Sequence, residues 1–221
     1  MKQTYLKQIL EELAKNPYIS PQRIREIAHT ASHAVIVAAD QIPDTVMLKT
    51  ADGEALGEYR ITVKKPQVID FMPMMKNGRF VLAVPVVILP SATEENKIWK
   101  LIHEYCHLYS IGSYRTEGEM IYHNFGMNCF HYAVSRSEEK IYCVKRTQFT
   151  HENEIMNDAA VWYFCEKLFG IDRPPDSYTD ITVRPLKDSE RLPEMLAAYF
   201  SGDDRTVGHL RQYFPKESFS G

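Results

Sequence analysis

The sequence of 221 residues lacks several features that would assign it to a class at once. It contains no uninterrupted apolar run of about 18 residues, the length that a transmembrane helix needs. Its N-terminus is charged throughout and lacks the apolar stretch of a secretory leader. Its four cysteines include no CxxC pair, so no disulfide framework is indicated. These absences predict a cytoplasmic protein with free thiols and no membrane segment.

An excess of charge of either sign is also missing. The formal net charge is −3 and the isoelectric point is near 6.2, so there is no electrostatic reason to expect a nucleic-acid partner. Hydrophobic residues make up 44% and charged residues 25%, as is ordinary for a globular domain. We find no internal repeat and no low-complexity segment. The length fits one domain, or one domain with a small appendage.

Two amphipathic helices are expected at the start of the chain. The first covers residues 2–15 and ends at Asn16-Pro17. The second begins with Ser20 as N-cap, and its apolar stripe continues to Ala38. His29 and His33 lie one turn apart on it. Without an intervening glutamate, this spacing favours a solvated face over a second metal site.

The pattern changes to β-structure between residues 44 and 90. Residues 59–63 and 68–72 are candidate strands, and residues 79–89 form a longer β-branched run. Pro85 lies within this run and cannot donate to a ladder, which indicates an edge strand or a bulge. An edge strand can capture an extended peptide. Alternatively, Pro85 only protects the edge from aggregation, and both interpretations remain open.

The most informative stretch is residues 98–112, IWKLIHEYCHLYSIG. Its apolar side chains recur with the spacing of one buried helix stripe, at Ile98, Ile102, Tyr105 and Tyr109. Ser91-Ala-Thr-Glu94 has the spacing of a capping box that would open this helix, and Gly112 is well placed to end it.

The same stretch contains an HExxH motif. On a helix, His103 and His107 lie one above the other, about one turn apart. Two neutral imidazoles in this relation can supply two of the three protein ligands of a catalytic Zn²⁺. Glu104 can then lean over the open metal position and take a proton from bound water. The simpler alternative is a helix with two ordinary histidines, which the helical context makes the weaker interpretation.

The third ligand must lie outside this helix. The extended pattern HExxHxxGxxH is excluded, because Ser110 and Ser113 occupy its last two defining positions. Residues 113–149 are the least certain part of the chain. They include a predicted hairpin of residues 129–134 and 141–144, preceded by residues 117–125, which could be helix or strand.

A strong helix is then predicted from Thr150, as N-cap, to Gly170. Glu154 and Asp158 share one face of it, so Glu154 can bind the metal while Asp158 accepts the second N–H of one ligand histidine. Glu152 is the reserve ligand. The simpler alternative is a solvated acidic first turn, which the helix dipole favours.

The HExxH motif followed by Asn-Glu-x-x-x-Asp resembles the gluzincin pattern of thermolysin-like metallopeptidases. Chain size and motif position are more similar to the minimal ImmA/IrrE-type metallopeptidases of bacteria and their mobile elements. The resemblance covers about residues 79 to 170. It implies zinc ligands at His103, His107 and Glu154, a general base at Glu104 and an orienting carboxylate at Asp158.

One departure from those families is the long gap between His107 and Glu154, whose inserted hairpin would rim or cover the cleft. Sites of this type also carry a Tyr or His that binds the developing oxyanion. The candidates are Tyr122, His123, His131, Tyr132 and His151. Cys106, inside the motif, is expected to be a small core residue, with a thiolate ligand or redox brake as the alternative.

Together these inferences predict an α+β, zincin-like fold with N-terminal helices and a mixed, mostly antiparallel sheet. The expected division is an N-terminal helical segment (1–43), a catalytic domain (44–185) and a helical tail (186–221). The predicted function is zinc-dependent hydrolysis of a peptide or protein substrate bound along residues 79–89. The alternatives are a regulatory or interaction module with a structural or inactive zinc site, and a zinc hydrolase of non-peptide amides.

Overall fold

A computed structural model describes residues 2–91, 98–171 and 180–201. Its helices are α1 (Lys2–Leu13), α2 (Pro21–His33), α3 (Ile98–Tyr109), α4 (Thr150–Phe169), α5 (Asp180–Lys187) and α6 (Leu192–Ser201). Its strands are β1 (Val35–Ala38), β2 (Thr45–Lys49), β3 (Ala55–Arg60), β4 (Gln67–Ile69), β5 (Met74–Lys76), β6 (Arg79–Val81), β7 (Val86–Leu89), β8 (Arg115–Glu117), β9 (Met120–Phe125), β10 (Asn128–Ser135) and β11 (Lys140–Thr147). No helix in these ranges is both long and apolar enough to cross a bilayer.

The strands form two larger sheets and two small ones. A three-stranded sheet has the order β1–β7–β4, in which β1 runs parallel and β4 antiparallel to β7. A four-stranded antiparallel sheet has the order β11–β10–β9–β8, and β2–β3 and β5–β6 are separate antiparallel pairs. The expected α+β class with mostly antiparallel pairing is confirmed.

Strand β7 is buried on both faces and separates two apolar cores. Val87 and Leu89 point into the larger core, which the helices supply, and Val86 and Ile88 point into a smaller core with β2 and β3. This division follows from the alternation of side chains along a strand. A continuous β-branched run is typical of a strand that is covered on both sides. Helix α3 therefore packs against a buried strand, β7, in the larger core.

The prediction of one edge strand over residues 79–89 is wrong. The run is divided into β6 and β7, and β7 is the central strand of its sheet. Pro85 lies just before β7, where its carbonyl accepts a hydrogen bond of 2.9 Å from the Val35 N–H. The edge strands of this sheet are β1 and β4, each of which pairs with β7 within the described ranges.

The second helix also differs from its prediction. Ser20 does cap it, by accepting a hydrogen bond from the Arg23 N–H, but the helix ends at His33. Residues 35–38 form β1, although their spacing continues the helical stripe. Val35, Ile36 and Val37 are β-branched, and pairing of this strand with β7 outweighs their helical periodicity.

The remaining predictions have mixed outcomes. The first helix and the β10–β11 hairpin are confirmed, and residues 120–125 are strand β9. Phe149 occupies the N-cap position of α4 without a side-chain bond, so the predicted cap at Thr150 is wrong. The capping box after Ser91 and a helical stretch expected at residues 205–213 lie outside the described residues.

Arg23 connects the three helices α2, α3 and α6 through hydrogen bonds. Its buried guanidinium group donates hydrogen bonds to the carbonyls of Tyr109 (3.3 Å), Ile111 (2.7 Å) and Phe200 (2.6 Å). The last carbonyls of a helix have no partner within the helix, so the side chain from α2 caps the end of α3. The same bonds hold α6 against α3.

Candidate metal centre

Helix α3 presents both histidines of the HExxH motif on one face. The buried stripe of α3, which includes Ile102, Tyr105 and Tyr109, fixes its rotation against the core. His103 and His107 are therefore directed to the opposite side, one turn apart. Their Nε2 atoms are 3.0 Å apart and their rings meet edge to face. This arrangement converges two imidazole nitrogens on one point.

Helix α4 brings a carboxylate to the same point. Ile155, Ala159 and Trp162 are buried and hold α4 against the core, as the predicted stripe requires. His103, His107 and Glu154 each offer one ligand atom, and these atoms all lie within 4.8 Å of one another. Gly170 adopts a left-handed conformation and ends α4 at the predicted residue. Two separate helices therefore contribute to one cluster.

A close contact with Gly126 fixes the position of the first turns of α4. The Asn153 Oδ1 atom accepts a hydrogen bond of 2.9 Å from the Met127 N–H. Gly126 has a φ of +55°, and a Cβ atom there would lie 2.1 Å from Asn153 Oδ1. Only glycine allows this approach. Because Asn153 directly precedes Glu154, the contact sets where that carboxylate can stand.

The protein keeps both histidines neutral. Burial and, as the smaller cause, the neighbouring His103 together lower the pKa of His107 to about 3. Burial also lowers the pKa of His103, against the opposing effect of Asp158. A neutral imidazole retains the lone pair that a metal requires. Both side chains are therefore available as ligands at neutral pH.

Glu104 is a buried carboxyl group beside this cluster. Only 6% of the residue is exposed, and its Oε2 atom has no hydrogen-bond partner among the described residues. Burial, together with the charge of Glu154 and against the opposing effect of Lys65, raises its pKa to about 8. A strongly perturbed, unsatisfied carboxyl group next to candidate ligands is typical of a functional site.

Glu154 is more open than Glu104. Its surroundings withdraw the carboxylate partly from water and, together with Asp158, raise its pKa, although the residue as a whole reaches the solvent. Lys65 lowers the pKa of both glutamates. Three carboxyl groups and one lysine thus surround the histidine pair, and a divalent cation would relieve the repulsion among them.

Asn157 is the group nearest to the second nitrogen of His103. The amide nitrogen of Asn157 lies 3.1 Å from His103 Nδ1, and the Tyr199 hydroxyl donates to the amide oxygen at 3.0 Å. The same distances allow the amide to turn over, so that its oxygen accepts from His103 Nδ1–H. Metal binding through Nε2 requires this second arrangement, because Nδ1 must then carry the proton.

Asp158 and Glu152 lie at different distances from this network. Asp158 Oδ1 is 3.7 Å from His103 Nδ1, beyond ordinary hydrogen-bonding range but close enough to act by charge. Glu152, the reserve ligand, is buried in the first turn of α4 and does not belong to the ligand cluster found among the described residues.

The oxyanion candidates occupy several places. His123 is buried, contacts Asp70 through Nε2 at 2.6 Å and stacks on Tyr114. Tyr122 and His131 face each other across β9 and β10, with ring centroids 4.9 Å apart. Tyr132 is buried against Phe130, and His151 is exposed at the start of α4.

The donor set fits zinc. Two nitrogens bound to one tetrahedral zinc at about 2.0–2.1 Å lie roughly 3.3 Å apart. The Nε2 separation of 3.0 Å is close to that value. Two imidazoles and one carboxylate form the ligand set of a hydrolytic zinc site with an open position. Cys106 is fully buried, and burial raises the pKa of its thiol, as expected for a core residue.

Sequence reasoning missed three groups at or near the histidines: Asn157 contacts His103, Tyr199 contacts Asn157, and Phe125 lies beside His107. Tyr199 comes from α6 and has no motif to connect it with His103, and Asn157 was passed over for its charged neighbour Asp158. Phe125, at the end of β9, lies 6.2 Å from the His107 ring, and only the folded sheet brings it there.

Comparison with protein-family models, with curated proteins and with solved structures found no match to this chain. The case for a metal centre therefore depends on the chemistry and geometry of its own residues.

Proposed function

We propose that the protein is a zinc-dependent peptidase. The observation that carries the proposal is the convergence of His103, His107 and Glu154, from two helices, within 4.8 Å. A purely structural zinc site has no use for a general base, and Glu104 is a buried carboxyl group that could act as one. The proposed class is therefore a metal-assisted hydrolase with a glutamate base.

His103, His107 and Glu154 would hold the ion. Zinc bound there supplies a Lewis acid, which polarises a carbonyl group and lowers the pKa of water toward 7. The neutral imidazoles favour this binding, because no proton has to be displaced from them at neutral pH. Asn157 and Tyr199 would keep the His103 ring in the orientation that ligation needs.

Glu104 would move the proton. Positive charge in the centre favours the ionised carboxylate, against the burial that raises its pKa. Its Oε2 atom, which no described residue satisfies, would accept a proton from the attacking water and pass it to the leaving amine. Burial of Glu104 also shields the transferred proton from bulk solvent.

The surroundings favour a peptide over a small amide. Strand β4 lies at the edge of the sheet beneath α3, and Lys65, just before it, acts on both glutamates of the centre. An exposed strand edge can hold an extended peptide. We place the substrate along β4 instead of residues 79–89, because β7 is the central strand of its sheet. We assign the domain to the zincin-like folds on this arrangement of helix, sheet edge and second helix.

The cellular setting follows from thiol chemistry. All four cysteines are free, and three of them are buried. Free thiols of this kind are at home in a reducing compartment. A cytoplasmic location is therefore part of the proposal.

The test is a comparison of the protein with Glu104→Gln. Both should bind close to one zinc ion per chain by elemental analysis, because Glu104 is not a ligand. The variant should hydrolyse peptides about 10²–10⁴-fold more slowly, because it cannot accept the proton. Glu152→Gln is the matched control, a buried glutamate of α4 outside the ligand cluster, and should retain activity.

Three results would contradict the proposal. Equal activity of Glu104→Gln and the parent protein would show that Glu104 is not the general base. Absence of peptide cleavage by the zinc-loaded protein, with a fourth protein ligand closing the site, would assign it to a structural or regulatory module. Cleavage of small amides only would indicate the non-peptide hydrolase.

A further inference from the structure

A groove of about 490 Å³ runs between β4 and the β10–β11 hairpin. One wall consists of residues 67–72, which include β4, and the other carries Phe130, Tyr132 and Arg146. Pockets of this size that are lined by aromatic groups are typical ligand sites. The hairpin belongs to the segment that separates the histidines from Glu154, so the insertion forms a wall of the groove.

A β-bulge determines which side chains form that wall. Phe130 pairs with Arg146 and Tyr132 with Cys143, so two steps along β10 correspond to three along β11. The extra residue is Val144. In a regular strand, Cys143 and Arg146 would point to opposite faces, because they are three residues apart and side chains alternate along a strand. The bulge therefore turns Arg146 into the groove, as bulges near functional sites commonly do.

The wall is a row of stacked groups. The rings of Phe130 and Tyr132 are nearly parallel, 11° apart, with centroids separated by 6.3 Å. The Arg146 guanidinium lies 5.5 Å from the Phe130 centroid, as a cation–π contact. Aromatic faces and a guanidinium plane present a flat surface on which another ring can stack. We call these three residues the aromatic ladder.

One residue, Phe125, lies between the groove and the metal centre. Phe125 lines the groove and lies 6.2 Å from the ring of His107. On the opposite wall Val63 and Met72, on either side of β4, are each 46% exposed. An extended peptide paired with β4 would present every second side chain to the same wall, about 6.6 Å apart. One such side chain would face the aromatic ladder.

We propose that this groove is the substrate site, and that the aromatic ladder selects an extended peptide with an aromatic side chain close to the cleaved bond. The inference rests on the proposed function and names its substrate class. A peptide main chain satisfies the edge of β4, and an aromatic side chain covers the exposed apolar surface between the two walls. The hairpin thus selects a substrate instead of merely covering the cleft.

The experiment uses internally quenched octapeptides in which a single Phe is moved through a background of Ala, Gly and Ser. The cleaved bond should move with the Phe, and kcat/KM should exceed that of the all-background peptide by at least about tenfold. Phe130→Ala should reduce this preference about tenfold. Tyr142→Ala, on the opposite face of the hairpin, should leave the preference unchanged.

A second variant and a binding assay separate the possible failures. Phe130→Leu keeps the apolar volume, and should lower the preference for Phe even where Phe130→Ala folds poorly. Binding of the Phe peptides to Glu104→Gln, measured by fluorescence anisotropy, does not depend on turnover. Suppose that Phe130→Leu weakens peptide binding in the Glu104→Gln background and that the parent protein hydrolyses no peptide. The groove would then be a peptide-binding site, and the proposed peptidase activity would be wrong.

Three outcomes would overturn the inference. Hydrolysis with no dependence on the position of Phe would support the peptidase activity but show that the groove does not select an aromatic side chain. No binding of any peptide to Glu104→Gln would remove the substrate site. Self-association of the chain that Phe130→Ala abolishes, with peptide binding unaffected, would assign the groove to a second copy.

Discussion

The two sides of the histidine pair are built in different ways. On the helical side, α3, α4 and α6 bury their polar groups and connect them, as in the contacts between Tyr199, Asn157 and His103. On the strand side, β11 and the residues that flank β4 leave apolar side chains in the solvent, with Val144 56% and Met72 46% exposed. Under the proposed function, the buried helices would hold the metal ligands in a fixed geometry, and the open strands would bind substrates of different sequence.

Removal of the metal should separate the two sides most clearly. Chelation should lower peptide hydrolysis on the order of a thousandfold or more, because the ion contributes several kcal/mol to the transition state. Peptide affinity in the groove should change by less than about threefold, since β4 and the aromatic ladder hold no ligand. Zinc readdition should restore turnover. Full activity after chelation would show that the two sides are not divided as we describe.

Gly126→Ala should damage the helical side. A left-handed φ costs a non-glycine residue about 1–2 kcal/mol, and the overlap with Asn153 adds about 1–3 kcal/mol. We expect the free energy of unfolding in urea to fall by about 2–5 kcal/mol in total.

Gly118→Ala is the matched control for this loss. Gly118 has a φ of +60° but no atom within 4 Å of its added Cβ, so only the strain remains. An equal loss in the two variants would show that the contact with Asn153 has no separate energetic role.

The pH dependence of the metal-free protein should report on Glu104. The pKa of Glu104 is about 8 in the folded protein and has its ordinary value of 4.5 in the unfolded chain, so folding favours the protonated form. This contribution is complete below pH 4.5 and is lost as the pH rises toward 8. The stability of the parent relative to Glu104→Gln should therefore fall by about 1.4 kcal/mol per pH unit in that window.

The measurement is urea unfolding of both proteins at pH 5, 6, 7 and 8, with and without zinc. Bound zinc should flatten the difference, because a nearby cation lowers the pKa of the carboxyl group. A difference that is constant with pH in the metal-free proteins would mean that Glu104 is not desolvated as the fold indicates.

Tyr199→Phe should have the smallest effect. Loss of one buried hydrogen bond of about 0.5–1.5 kcal/mol should weaken zinc binding about twofold to tenfold. NMR of the metal-free protein should show a changed balance of the two His103 tautomers, because the hydroxyl no longer holds the Asn157 amide that faces Nδ1. Tyr109→Phe is the control, because this buried hydroxyl donates to the Leu6 carbonyl instead. An unchanged tautomer and affinity in Tyr199→Phe would disconnect α6 from the metal centre.

The helical side was the more predictable from sequence. Periodicity and motif spacing act within one helix, so His103, Glu104 and His107 could be assigned to one element, and Glu154 to another, from local patterns. The structure brings His103, His107 and Glu154 together. Tyr199 could not be found this way, because its contact with Asn157 depends on how α6 packs against α4.

The strand side was less predictable, because strand identity depends on pairing. Val35–Ala38 has apolar spacing that suits a helix, yet its alignment with β7 makes it a strand. The same central position of β7 removes residues 86–89 from the sheet edge and leaves β4 there. The bulge at Val144 has no signal in the sequence, since it is defined only by the register of two strands.

The contact of Tyr199 with Asn157 has a consequence for the order of synthesis. A ribosome adds the HExxH helix long before α6, and chains emerge at about 5–20 residues per second. A nascent chain that already exposes His103 still lacks the hydroxyl group that steadies the imidazole network. If the centre binds zinc as proposed, its affinity would therefore reach the full value only after translation has passed Tyr199, with a rise of about twofold to tenfold at that point.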